Sequence, residues 1–118
     1  MELLKSLSLN VRLEDAAADL KQSVRAAQYR VSDRAIYFPA FPGKRYIPFQ
    51  AVTTAWVKKT SLPLTGCCGK QLPMFRLRLR YDDGTVYQDF LFEQEATARG
   101  ILDRVLAVSP DISQEEAV

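Results

Sequence analysis

Two stretches of the sequence hold residue types that could do chemistry. The first is "LPLTGCCGKQLP", Leu62 to Pro73, where Cys67 and Cys68 are adjacent and Lys70 follows them. Thiolates ligate zinc, but a zinc site wants about four nitrogen, sulfur or carboxylate ligands in tetrahedral array. The chain has no histidine and only these two cysteines, so a metal-binding reading needs ligands from a second copy across a dimer. Adjacent cysteines also lack the two intervening residues that let a redox dithiol close without strain. A cysteine nucleophile would lack its usual histidine partner. Leu62 to Gly66 matches the LPxTG pentapeptide cut during cell-wall anchoring, but that signal precedes a C-terminal apolar tail, and here the match is internal. The segment reads instead as a glycine- and proline-punctuated loop, long enough to touch a partner.

The second stretch is "MFRLRLRY", where Arg76, Arg78 and Arg80 alternate with Phe75, Leu77, Leu79 and Tyr81. Period two marks a strand with one buried face, and it sets the three guanidinium groups about 7 Å apart along the other. Such a ladder suits phosphates or carboxylates. The competing reading is a solvated face neutralised by Asp89 and other acids across the sheet, since opposite-charge cross-strand pairs are common. Phe75 and Tyr81 fall on the other face, and Trp56 and Tyr87 read as core residues. Nucleic acid, which wants exposed aromatics interleaved with the cations, is therefore not an expected partner.

The row belongs to a larger asymmetry that the formal charge of +2 conceals. From Arg34 to Tyr81 the basic residues are Arg34, Lys44, Arg45, Lys58, Lys59, Lys70, Arg76, Arg78 and Arg80, with no acid among them. All fourteen acids lie in the flanks. A basic centre points to an anionic partner unless the fold brings the acidic flanks back over it. Lys44, Arg45, Lys58, Lys59, Lys70, Arg76, Arg78 and Arg80 are the candidate partner- or anion-binding residues. No catalytic residue and no cofactor is expected: there is no Ser-His-Asp set, no phosphate loop and no histidine to move protons near neutral pH.

The elements that must position these residues follow from length and pattern. At 118 residues and 47% hydrophobic, the chain suits one domain with one core. No apolar run nears the ~20 residues of a membrane-spanning helix, and the N-terminus lacks the features of a signal peptide. With a free cysteine pair, which reducing compartments tolerate best, a soluble cytoplasmic protein is expected. Leu7, Leu9, Val11 and Leu13 alternate as in a strand, and Leu13, Ala17, Leu20, Val24 and Ala27 then recur at helical spacing. "YRV" and "AIYFPAF" flank a turn at Ser32 to Arg34, "KRYIPF" reads as an edge-like strand, and "AVTTAWVKKT" is β-branched and aromatic. "DDGT" turns the arginine strand back into "VYQDFLF", so those two strands are neighbours. "EQEATARGILDRVLAV" closes the chain as an amphipathic helix, with Gly100 inside it for close approach to a sheet, and an acidic tail follows.

Three of these features in this order, "VSDRAIYF", "YIPFQAV" and "YDDGTVYQDFLF" before a last helix, resemble the bacterial pleckstrin-homology-like and GRAM-like modules. The resemblance spans residues 27–108. It implies an α+β fold: a mainly antiparallel PH-like β-barrel or bent sheet capped by a C-terminal helix. Residues 1–26 would be an N-terminal strand and helix packed on it, and 109–118 a flexible acidic tail. It also implies a non-enzymatic binding or adaptor module for a protein partner or an anionic lipid surface. The family's lipid site uses basic residues around the loop between its first two strands, and that loop would here be the short "SDR", with one acid. Two other readings stand beside this one. They are a thiol or metal protein built on Cys67 and Cys68, and a structural homo-oligomer formed through the N-terminal helix.

Overall fold

The computed structural model describes residues 4–40, 43–63, 71–112 and 114. In chain order the elements are β1 (Leu4–Ser6), α1 (Ala16–Gln22), β2 (Val24–Ala26), β3 (Tyr29–Val31), β4 (Ala35–Ala40) and β5 (Gly43–Pro48). A 3-10 turn (Phe49–Ala51) then leads to β6 (Val52–Pro63), β7 (Gln71–Tyr81), β8 (Val86–Phe92) and α2 (Glu95–Val108). The fold is α+β, as expected, but among the described residues the strands form two sheets and not a closed barrel. Sheet A has the order β1-β5-β4-β3-β2 and sheet B the order β6-β7-β8.

Alternation along the strands decides what each face of sheet A meets. Val31, Ile36 and Ile47 point inward to a core shared with Phe49, Leu77, Leu79, Phe90 and Phe92. Ala98, Ile101, Leu102 and Val105 of α2, at spacings of three and four, close that core. Ala35, Tyr37 and Tyr46 point outward and are covered by Leu20 of α1, forming a second, smaller cluster. Sheet A is therefore packed on both sides. Sheet B has α2 on its inner face, so Leu77 and Leu79 are buried there while the arginines face out.

Residues 7–28 depart in part from the sequence pattern. The expected helix through Ala27 ends at Gln22, because both the amide and the hydroxyl of Ser23 bond the Leu20 carbonyl and its backbone turns extended. Val24, β-branched and on the expected helical face, begins a strand instead and is half exposed. Ala27 then adopts a left-handed conformation (φ 58°) that lets β2 turn into β3. Leu7 to Leu13 form no strand. Ser8 Oγ accepts the amides of Asn10 and Val11, a local turn that outcompetes a ladder and leaves Leu9 fully in solvent. The segment is clasped at its far end, where Asp82 accepts Ser8 Oγ and, at 2.8 Å, the Leu9 amide.

Elsewhere pattern and structure agree. Ser32 Oγ accepts the amides of Arg34 and Ala35, making the expected turn between β3 and β4. Asp82 (φ 59°) and Gly84 (φ 86°) make the one between β7 and β8. β5 is not an edge, however: β1 pairs with it in parallel on the side away from β4, and Pro48 is tolerated because it is the last residue of the strand. Gly100 also has a different place. It faces solvent, with no atom within 4 Å of where a Cβ would stand, so it does not serve close packing of helix on sheet.

Candidate anion-binding surfaces

The fold separates the cations of the basic centre. Arg76, Arg78 and Arg80 stand on the outer face of sheet B, with Lys58 opposite Arg76. Lys59 lies opposite Phe75 on the other face of the same sheet. Lys44 and Arg45 belong to β5 in sheet A and point to opposite faces of it. Lys70, Cys67 and Cys68 lie outside the described residues. Among the described residues no group of three or more metal-ligating side chains gathers.

On sheet B the register puts Arg78 between Trp56 of β6 and Asp89 of β8. Its guanidinium forks onto the carboxylate, Nε to Oδ1 at 2.7 Å and Nη2 to Oδ2 at 3.0 Å. It also lies over the rings of Trp56 and Tyr87, 5.1 and 4.1 Å from their centroids. Bidentate pairing and stacking are what a planar guanidinium does best. Arg76 approaches the same carboxylate at 3.9 Å, and Arg80 lies over Tyr87 and donates to the Gly84 carbonyl at 3.3 Å. Trp56 and Tyr87 thus share the arginine face, which the strand's own alternation could not reveal. Trp56 is 5% exposed and Tyr87 47%. Two buried donors here, Trp56 Nε1 and Arg80 Nε, have no acceptor among the described residues.

On sheet A a second group forms that sequence reasoning missed. β2 and β3 pair so that Arg25 stands directly opposite Arg30, next to Tyr37 on β4. Like charges opposite one another on neighbouring strands are unfavourable unless something offsets them. Among the described residues no carboxylate does. Arg25 Nε donates to the Ala27 carbonyl at 3.1 Å, and Arg30 uses Nε and Nη2 on the Ser23 hydroxyl and carbonyl at 2.9 and 2.7 Å. Neutral acceptors orient both guanidinium groups without neutralising them, and Nη1 of each is uncommitted among the described residues. With Lys44 they line a cleft of about 260 Å³, floored by Leu20, Tyr37, Phe38 and Pro39, whose lining contains no acid. The signal that could have found it is a cation on each side of the Ala27–Gln28 turn. The helical spacing of Val24 and Ala27 hid that turn.

On the far side of Tyr37, Asp19 of α1 accepts the hydroxyls of both Tyr37 and Ser32. Burial, reinforced by that carboxylate, holds the Tyr37 hydroxyl protonated far above its ordinary range. This cluster ties α1 to sheet A. Arg104 of α2 reaches Asp33 at 2.9 Å and ties the β3–β4 turn to the second helix. No known family model, curated protein or solved structure matches the chain.

Proposed function

We propose that the protein is a non-enzymatic binding module that docks on an anionic, phosphate-bearing surface through the cleft of Arg25, Arg30 and Lys44. The observation that carries this reading is the opposed Arg25–Arg30 pair, fixed by neutral acceptors and facing an acid-free cleft. Pinned guanidinium groups with spare donors lose little freedom when they take a phosphate, which favours binding. The element order supports the PH-like reading. β2 to β5 follow one another as antiparallel neighbours, β6 to β8 do so again, and a helix follows. With β2 as the first strand of such a module, its first loop is Ala27–Gln28, flanked by Arg25 and Arg30, and not the acidic "SDR". β1 and α1 are then additions to the module. No helix among the described residues is long and apolar enough to cross a membrane, so docking on a lipid surface would be peripheral.

Sedimentation with phosphatidylcholine vesicles, with and without phosphorylated inositol lipid, tests this. Association should require the phosphorylated lipid and weaken steeply with salt. Arg25→Gln and Lys44→Gln should each weaken it by about fivefold, the worth of roughly 1 kcal/mol per surface cation. Inorganic phosphate as competitor separates a headgroup from a free anion as the ligand. Vesicle binding absent at low salt, or binding lost on Arg76→Gln but not on Arg25→Gln, would overturn the reading.

A further inference from the structure

By element order α1 is an addition to the module, yet it supplies one wall of the anion cleft and aims one of its cations. Its seven residues make only two turns, fewer than the ~12–15 residues at which a helix holds by itself in water, so α1 stays helical through what it packs against. Those contacts belong to the cleft as well. Leu20 clusters with Tyr37 and Tyr46, Asp19 accepts the Tyr37 hydroxyl, and Leu20 and Tyr37 both line the cleft. Ser23 joins helix and cation. Its amide and hydroxyl bond the Leu20 carbonyl and end α1, while the same hydroxyl and the Ser23 carbonyl receive Nε and Nη2 of Arg30 at 2.9 and 2.7 Å. Ser23 is buried, so these bonds are made away from water, where they hold more firmly.

From Ser23 the chain enters β2, which among the described residues pairs with β3 alone and sets Arg25 against Arg30. An anion between the two guanidinium groups replaces their repulsion with attraction on both sides, and so holds β2, with the end of α1, against the sheet. On the premise that the cleft is the phosphate site, we infer that the cleft and α1 are coupled through Ser23. This residue positions Arg30 for the anion, and a bound anion in turn steadies α1 on sheet A. Coupling of this kind is reciprocal: whatever lifts α1 from Tyr37 weakens phosphate binding by the factor with which phosphate opposes the lifting. The helix added to the module is thereby its control element.

The test uses the full chain with phosphatidylcholine vesicles carrying phosphorylated inositol lipid. Ser23→Ala should weaken association about fivefold, the effect of having to order one long side chain on binding. When Arg30 is already Gln, the same change should weaken it by less than about twofold, whereas a merely structural serine would act alike in both backgrounds. Without vesicles, Ser23→Ala should speed solvent exchange of the Arg30 Nε proton. With them, the Asp19 and Ser23 amides of the unaltered protein, which bond the Asp15 and Leu20 carbonyls, should exchange more slowly. Vesicle binding with unchanged exchange at those two amides, an unchanged Arg30 Nε proton, or equal losses in the two backgrounds would each overturn the coupling alone. No vesicle binding by the unaltered protein would overturn the reading of the cleft and the coupling with it. Should Ser23→Ala fail to fold, amide exchange in the unaltered protein decides.

Discussion

The two sheets each carry a patch of cations and hold them by opposite means. On sheet B, Arg78 is met by a carboxylate on the next strand and clamped between two rings. On sheet A, Arg25 and Arg30 face each other and are steadied by a carbonyl and a serine. A cation held by a carboxylate is part of the scaffold. One held by neutral oxygens keeps its field for something outside. A row of arginines in a strand is thus a weaker sign of a vacant anion site than two arginines either side of a two-residue turn.

Four substitutions probe that contrast, in falling order of effect. Trp56→Ala should cost about 3–5 kcal/mol in denaturant unfolding, as removal of a buried indole does. A loss below about 1 kcal/mol would mean that the outer face of sheet B is not the packed surface described here. Asp89→Asn should cost about 1–2 kcal/mol, the low end for hydrogen bonds to a charged group, because the pair is partly exposed. Tyr37→Phe should cost about 1 kcal/mol at neutral pH by removing one bond to Asp19. It should also change the alkaline limb. An unfolded tyrosine ionises near 10.0, whereas burial and Asp19 keep the folded one protonated well above that. The stability due to Tyr37 is therefore fully present below pH 10 and declines as the pH rises beyond it. The variant should lose part of that decline, and an unchanged alkaline limb would refute the assignment. Arg25→Gln should change stability by no more than about 0.5 kcal/mol, or raise it by relieving the opposed charges. A clear loss there would mean that Arg25 is structural, and the distinction between the sheets would fall.

The parts of this arrangement legible in the sequence are those in which one local rule operates alone. The arginine strand, its "DDGT" turn and the C-terminal helix each follow from a single periodicity with clear punctuation, and Asp89 was identifiable as the neutralising partner. The end of the first helix was not legible, because Val24 and Ala27 satisfy a helical spacing by coincidence and the termination depends on Ser23 bonding back to Leu20. Trp56 is buried as expected, but Tyr87 is half exposed, and the face both occupy depends on cross-strand register, a tertiary fact. Arg25 and Arg30 needed both pieces of information at once.

The clasp of Ser8 and Leu9 on Asp82 bears on the order of assembly. β1 has no partner until β5 exists, and its anchor is a carboxylate 74 residues further along, set by the last hairpin. β1 is thus among the last elements to be held, and sheet A must gather around β4 and β5 before its parallel edge strand can join. Pulsed hydrogen exchange during refolding should find the Leu7 amide, which donates to Tyr46, protected after the β4–β5 ladder has formed. Simultaneous protection would mean that β1 and the segment after it help to nucleate the fold they fasten.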